Sequence, residues 1–296
     1  MNIAPWVPCK KCKAPIVVES IYIEKYFKAE SISCTKCNSE IDWWTTIQHA
    51  IRENFMLNQA FSTLEAKTNL MDLHLEPNTR TRIKLSENGI PLDARILYIN
   101  YTPDDGGLFP IEIHGNVPHR RTLGDEIRIY PIPISNNDTV STTKTSVMIT
   151  WVKHSADEHS LVNITDAFES YSTDQYQDSI VPANVAVESA LSKLLSMYIS
   201  KMASEKRTEN FLANAATYSH QLNIVLPLIV KLKELPVLPD NIRGLLNKLR
   251  DLRNEIAHSG NIENELTKAD TADVLCAALF GLKYISLIEA ELRANT

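Results

Sequence analysis

Two pairs of cysteines near the N-terminus constrain the fold of this 296-residue chain more than any other feature. Cys9 and Cys12 form one CxxC pair, and Cys34 and Cys37 form a second pair after an interval of 21 residues. A two-residue gap lets one tight turn present two thiolates to a tetrahedral ion, and two such turns, or knuckles, supply four sulfur ligands. The spacing predicts a zinc ribbon over residues 1–45, with β segments at 16–18 and 21–23.

The zinc that these cysteines predict is structural, because four protein ligands leave no open position for a substrate. The alternative is two disulfides or free thiols. The first residues lack the basic and apolar regions of a secretory signal, and we expect a cytoplasmic protein with no membrane span. Disulfides belong mainly to oxidising compartments, so this expectation favours zinc. The fifth cysteine, Cys276, lies in an apolar helical pattern and is predicted to be a buried small hydrophobic residue.

The distribution of charge limits the classes of partner. The net charge is −6, and the acidic excess lies in the middle, where residues 46–179 carry eleven Lys and Arg against eighteen Asp and Glu. A general basic coat is therefore absent, and any nucleic-acid contact must rest on local patches. Lysines 10, 11, 13 and 36 on the knuckles could form such a patch or could simply be solvated. The charge distribution counts against a further hypothesis, a DNA-binding transcription factor.

The hydrophobic pattern changes twice along the rest of the chain. Residues 46–68 have helical spacing and are predicted to be a helical connector. Residues 69–154 alternate between apolar and polar positions and are punctuated by turn signals, without helical segments between the strands. This pattern predicts an antiparallel sandwich or barrel. Its six strands are expected at 70–75, 81–85, 94–99, 110–113, 126–130 and 146–152.

The sequence pattern of the C-terminal part, residues 155–296, predicts helices. Residues 155–181 are polar and predict a linker with one short helix at 164–171. Pro182 is expected to open an all-α bundle over 182–296. Its four helices are predicted near 187–198, 211–235 with a kink at Pro227, 239–259 with Gly260 as a left-handed cap, and 267–292. The predicted fold class is thus multidomain α+β, with a zinc ribbon, an antiparallel β domain and a C-terminal helical bundle.

The third of these helices carries the residues that suggest chemistry. Its apolar stripe must face the bundle core, and it consists of Ile242, Leu245, Leu246, Leu249, Leu252 and Ile256. Arg253 flanks the stripe, whereas Asn254 and His258 lie roughly 150–170° from its centre. A histidine on the outer face needs a second surface to cover it. The simplest supplier is the same helix of a two-fold related subunit.

An arginine and a histidine at this spacing suit the cleavage of RNA without a metal. Histidine as a residue type exchanges protons near neutral pH, so it can activate a 2′-hydroxyl or protonate a leaving oxygen. The guanidinium of Arg253 would hold the scissile phosphate. The alternative is structural: Arg253 pairs with a carboxylate, and His258 interacts with the helix dipole. Spacing alone leaves both interpretations open.

The run Arg253-Asn254-Glu255-Ile256-Ala257-His258 resembles the Arg-(Asn/His)-x-x-x-His motif of the HEPN superfamily. These are four-helix domains found in bacterial toxins, antiphage proteins and RNA-guided effectors. The resemblance covers residues 182–296, and it departs from the family in Ser259, where glycine often follows the histidine. It implies a metal-independent endoribonuclease with a composite site at a homodimer interface, in which Arg253 and His258 are catalytic and Asn254 is their polar partner.

The resemblance also suggests a biological setting and an alternative. Similar proteins act in antiphage defence or as toxins, so the N-terminal parts are expected to recognise a trigger protein, a ligand or the RNA. Other family members are non-catalytic, which leaves a dimeric RNA- or protein-binding regulatory module as the alternative.

Glu188, in the first helix of the predicted bundle, lies at the margin of that helix's apolar stripe. A partly buried carboxylate is costly unless it is paired. We therefore predict that Glu188 pairs with Arg253 and orients it in the catalytic site; the alternative is a solvated glutamate.

Overall fold

The computed structural model describes residues 2–3, 6–53, 64, 66–104, 108–112, 126–133, 142–153, 158–260, 262 and 265–294. They belong to two units: unit 1 comprises residues 1–6 and 65–156, and unit 2 comprises residues 7–64 and 157–296. The described strands are β1 (Asn2–Ile3), β2 (Trp6–Pro8), β3 (Pro15–Val17), β4 (Lys67–Leu75), β5 (Thr81–Lys84), β6 (Ala94–Pro103), β7 (Leu108–Glu112), β8 (Glu126–Pro133) and β9 (Thr143–Lys153).

Unit 1 is an antiparallel β structure. One sheet has the strand order β1-β4-β9-β6, and a second has the order β5-β8-β7. Alternate residues point into a core, as Ile127 and Ile129 do from β8. Both sheets contribute to this one core, which includes Leu75, Ile83, Ile96, Leu108, Ile127, Val147 and Ile149. The antiparallel pairing predicted from the alternating sequence is confirmed.

Unit 2 consists mainly of helices. The described α-helices are α1 (Ser20–Phe27), α2 (Trp43–Arg52), α3 (Glu158–Ser172), α4 (Tyr176–Ile199), α5 (Glu205–Asn210), α6 (Tyr218–His220), α7 (Leu226–Leu232), α8 (Asp240–Ser259) and α9 (Lys268–Ala294). Two π-helical turns, Phe211–Ala215 and Gln221–Val225, interrupt the region between α5 and α7. Helices α1, α2, α3, α4 and α8 all pack against α9.

Helix α9 is the central element of unit 2. Within the described part of the chain it is the one helix long and apolar enough to cross a membrane, although 89% of its most apolar window is buried inside the protein. No such segment was predicted from the sequence, and the burial explains the composition of α9 as that of a core helix. Cys276 lies within α9 and is fully buried, as predicted, and burial holds the pKa of its thiol well above the usual range.

The N-terminal helices join the helical core through aromatic side chains. The ring of Phe27 lies 5.0 Å from that of Tyr284, and the ring of Trp44 lies 5.0 Å from that of Phe280. The β segment predicted at 21–23 is wrong, because these residues belong to α1. Ile23 and Phe27 are both buried, and their four-residue spacing fits a helix packed on α9 better than a strand.

Two prolines are tolerated inside the helical region. Helix α4 spans Tyr176–Ile199, so the first helix predicted near 187–198 begins earlier than predicted and contains Pro182. Ile180 and Ala183 on either side of Pro182 are fully buried, and their packing offsets the hydrogen bond that proline removes. The single helix predicted at 211–235 is interrupted, and Pro227 lies in the first turn of α7, where a missing N–H is tolerated. The short helix predicted at 164–171 extends over the whole of α3.

Candidate functional site

The four cysteines of the CxxC pairs converge on one point. All four Sγ atoms lie within 4.8 Å of one another, with 3.8 Å between Cys9 and Cys37 and 3.6 Å between Cys12 and Cys34. A tetrahedral zinc ion with Zn–S bonds of about 2.3 Å places its sulfur ligands about 3.8 Å apart. The same distances are far too long for disulfides, and the five cysteines are free thiols. The cluster is therefore compatible with a zinc site.

The two knuckles share one backbone geometry. In the first, Lys13 N donates to Cys9 O at 2.9 Å, and in the second, Asn38 N donates to Cys34 O at the same distance. Both Lys13 and Asn38 adopt the left-handed conformation, with φ of 58° and 54°. Main-chain hydrogen bonds alone therefore form the tight turn that brings the two thiols of each pair together. The paired spacing in the sequence is the signal that revealed this arrangement.

Polar neighbours favour the thiolate form that a metal requires. The backbone N–H of Cys12 and the hydroxyl of Ser39 lower the pKa of Cys9 to about 6. Ser39 Oγ lies 3.0 Å from Cys37 Sγ and lowers the pKa of that thiol as well. At Cys12 the N–H of Ala14 acts in the same direction, but burial and the neighbouring thiols outweigh it and raise the pKa to about 11. This role of Ser39 was not predicted from the sequence.

The Arg–His segment lies at the C-terminal end of α8, where the sequence places it. Ile242, Leu246 and Leu249 are buried, whereas Leu245, Leu252 and Ile256 of the predicted stripe are partly buried. Arg253 and Asn254 are also partly buried, and His258 is exposed. Gly260 ends the helix with φ of 78°, and its N–H donates to Ile256 O at 2.9 Å. The outward position of His258 and the glycine cap are confirmed.

Arg253 differs from the other lysines and arginines of α8. Arg243 pairs with Asp240, Lys248 Nζ lies 2.9 Å from Asp270 Oδ1, and Arg250 Nη2 lies 2.6 Å from Asp251 Oδ1. Arg253 instead donates from Nη1 to Asn254 Oδ1 at 3.0 Å and forms no ion pair with any described residue. Its positive charge is thus the one on α8 that no carboxylate of the described chain neutralises.

Glu188 forms no ion pair or hydrogen bond with Arg253. Its Oε2 accepts a hydrogen bond from Asn184 Nδ2 at 3.1 Å, one turn away on α4. Tyr218 is nearly buried, and burial raises the pKa of its hydroxyl, with a further rise from Glu188 and an opposing effect of Arg250. The predicted ion pair of Glu188 with Arg253 is therefore wrong, because the Glu188 carboxylate bonds instead to Asn184 on its own helix. Its assignment to the site remains a prediction.

A polar cluster around Glu188 was not predicted from the sequence. Tyr218 OH and Asn184 Oδ1 are buried without a hydrogen-bond partner among the residues that the structure describes. Asn223 and Asn247 exchange two amide hydrogen bonds of 3.0 and 3.1 Å, and Arg250 Nη1 donates to Asn247 Oδ1 at 3.3 Å. Asn247 lies on the same helical face as Asn254 and His258. This helical spacing is the sequence signal that could have indicated the cluster.

An acidic cleft of about 270 Å³ adjoins the end of α8. Asp174, Asp178 and Glu265 line it. Gln177 also lines it and donates from Nε2 to Gly260 O at 3.2 Å. Carboxylates repel phosphates, so a polyanion would have to approach His258 from another direction.

Comparison of the chain with protein-family models, curated proteins and solved structures finds no match. The resemblance to the HEPN superfamily therefore rests on the residues of α8 themselves.

Proposed function

We propose that this protein is a metal-independent endoribonuclease whose composite site forms where the α8 helices of two subunits meet. The observation that carries the proposal is the state of Arg253, a partly buried cation without a carboxylate partner in the described chain. An uncompensated cation out of water is costly. A phosphate would compensate it, and the exposed His258 lies five residues further along the same helix.

In the proposed reaction the RNA supplies its own nucleophile. His258 of one subunit accepts the proton of the 2′-hydroxyl, and the oxygen then forms a bond to the adjacent phosphorus. The bond from phosphorus to the 5′-oxygen breaks, and that oxygen takes a proton from the second copy of His258. Arg253 holds the phosphate and stabilises its growing negative charge, while Asn254 positions the guanidinium. The products are a 2′,3′-cyclic phosphate and a 5′-hydroxyl.

The requirement for a dimer follows from the exposure of His258. A solvated imidazole is neither oriented nor shielded from water. The His258 side chain is exposed, and its imidazole forms no hydrogen bond within the described chain. An isologous contact would bring two copies of the same patch together and cover both histidines. We place this dimer in the cytoplasm, without a membrane, in an antiphage or toxin system in which the N-terminal parts recognise a trigger protein or ligand.

The proposed role of zinc is structural. Helix α1 lies between the two cysteine pairs in the chain, and α2 follows the second pair. Aromatic side chains of both helices pack on α9. Zinc held by these cysteines would therefore stabilise the helical core on which α8 rests.

The missing hydrogen bond to His258 also favours a second candidate, a non-catalytic dimeric module that binds RNA or protein. In this alternative Arg253 binds a phosphate or a partner's carboxylate, and His258 has no chemical role.

A cleavage assay separates the two candidates. The wild type and the Arg253→Ala and His258→Ala variants are incubated with structured and unstructured RNA in excess EDTA, with circular dichroism in the same buffer as a check on folding. We expect each variant to lose roughly 10²–10⁴-fold in rate and the wild type to leave a 2′,3′-cyclic phosphate end.

Arg243→Ala is the matched control, because Arg243 lies on the same helix and pairs with Asp240. It should retain the wild-type rate. Equal rates for the wild type, Arg253→Ala and His258→Ala across all RNAs would refute the enzyme and leave the binding module.

A further inference from the structure

A notch of about 230 Å³ lies between the first knuckle and helix α2. Lys10 and Lys13 line it from the knuckle, and Gln48, His49 and Arg52 line it from α2. Pockets for drug-sized ligands are typically about 300–1,000 Å³, so this notch suits a smaller group. Pro8 and Thr45 complete its lining. The two lysines and the arginine among these side chains suit an anion.

The cations of the notch are available to a ligand. Lys10 and Lys13 are exposed and have no carboxylate partner in the part of the chain that the structure describes. Arg52 is held in place because its Nη2 and Nε donate to Asp273 Oδ1 at 2.6 and 3.2 Å, and Gln48 Nε2 donates to the same oxygen at 2.8 Å. An arginine has five N–H donors, so this anchor leaves several of them for a ligand.

One carboxylate lies close by. Glu53 lines an adjoining small hollow with Val7 and Ala50, and its Oε1 is 3.9 Å from His49 Nδ1. Lys10 lines that hollow as well, but it forms no ion pair with Glu53.

The knuckle lysines also have a simpler explanation, which is to balance the charge of the thiolates. A zinc ion held by four thiolates carries a net charge of about −2. Lysines 10, 11, 13 and 36 together exceed that charge, so the knuckle surface stays positive even with zinc bound. Lys10 and Lys13 line the notch, whereas Lys11 and Lys36 do not. Variants of the two pairs can therefore distinguish ligand binding from charge balance.

We propose that this notch binds a phosphate group, supplied either by a free nucleotide or by a nucleic-acid strand. Lys10 and Lys13 neutralise the phosphate, and the anchored guanidinium of Arg52 donates to its oxygens. The site lies outside the residues assigned to cleavage, so it can exist whether or not the protein is a ribonuclease.

Binding is tested with the full-length His258→Ala protein, so that cleavage cannot consume the probe. Inorganic phosphate and AMP are titrated by calorimetry, and a short fluorescein-labelled RNA is titrated by anisotropy at several salt concentrations. Adding Lys10→Glu or Lys13→Glu should weaken binding roughly tenfold, as loss of a charge-assisted contact implies. For the RNA, the slope of log affinity against log salt should fall by about 0.7 per lost contact.

Lys11→Glu and Lys36→Glu are the matched controls, because they change the same charge on the same knuckles outside the notch. They should bind as the parent does. Zinc content is measured for every variant, and Lys10→Gln or Lys13→Gln replaces any glutamate variant that loses zinc. Binding of AMP or inorganic phosphate identifies a free phosphate ligand, whereas binding of RNA alone identifies a strand. The proposal fails if none of the probes binds, if all four lysine variants weaken binding equally, or if the notch variants bind as the parent does.

Discussion

The four-cysteine cluster and the Arg–His segment at the C-terminal end of α8 are both short motifs. They differ in how much of the site a single chain supplies. At the centre, the backbone closes each knuckle with the same 2.9 Å hydrogen bond, and Ser39 reaches two of the thiols. On α8, Arg253 has one amide neighbour and His258 faces solvent. A metal-binding motif whose ligands share a tight loop can be built locally. A motif on the outer face of a helix depends on what covers it.

The largest expected effect tests the completeness of the first site. Cys34→Ser should abolish stoichiometric zinc and destabilise the protein by more than about 3 kcal/mol, because the binding energy of structural zinc is folding energy. Zinc analysis and thermal unfolding measure the two effects. The packing of α1 and α2 on α9 should be lost with the metal.

Cys276→Ser is the control for the same chemical change. It buries a hydroxyl in α9 and should cost about 1–3 kcal/mol without loss of zinc. If Cys34→Ser keeps a full equivalent of zinc, the four cysteines are not its ligands.

The next effect tests the incompleteness of the second site. If the site needs two subunits, the rate per subunit should fall more than roughly tenfold when the enzyme is diluted well below its dimer dissociation constant. Sedimentation gives that constant, and cleavage is measured over the same concentrations. A monomer that cleaves RNA at the full rate would overturn the composite site.

The contrast between the sites also shows what a sequence can predict. The CxxC spacing correctly predicted that Cys9 and Cys34 belong to one four-cysteine cluster, because the geometry of each pair depends on neighbours in the chain. The helical period placed His258 outward for the same reason. The contact of Glu188 was predicted incorrectly because it depends on which turn of α8 packs against α4. The segment at 21–23 failed similarly, since three apolar residues fit either period until α9 supplies the packing partner.

A smaller effect on stability concerns the polar cluster around Glu188. Tyr218→Phe removes a buried hydroxyl that has no partner in the described part of the chain, so it should leave the free energy of unfolding unchanged or raise it by up to about 1 kcal/mol. Urea denaturation measures the change. Asn223→Ala is the contrasting variant, because it breaks the paired amides with Asn247 and should cost about 1–2 kcal/mol. Destabilisation by Tyr218→Phe of that size would mean that the hydroxyl has a partner in solution.

The smallest expected effect is on stability, and it concerns the Lys248–Asp270 ion pair. It tests the contrast between the paired cations of α8 and Arg253. Hydrogen bonds from Thr267 and Lys248 lower the pKa of the Asp270 carboxyl. A carboxyl with a lowered folded-state pKa stabilises the protein above its unfolded value, near pH 3.9, and this contribution disappears as the pH falls through the lowered value. The side chains of Lys248 and Asp270 are 44% and 43% exposed, so solvent should limit the contribution to about 0.5–1 kcal/mol.

Asp270→Asn should therefore lose that amount at neutral pH, and its stability should differ less from that of the wild type at acid pH. Urea denaturation at both pH values measures the difference. Cleavage should be unaffected at neutral pH, because the pair only fixes α8 against the start of α9. If Asp270→Asn abolished cleavage as completely as Arg253→Ala, the paired cations would belong to the site, and the distinction between the matched cations of α8 and the unmatched Arg253 would no longer hold.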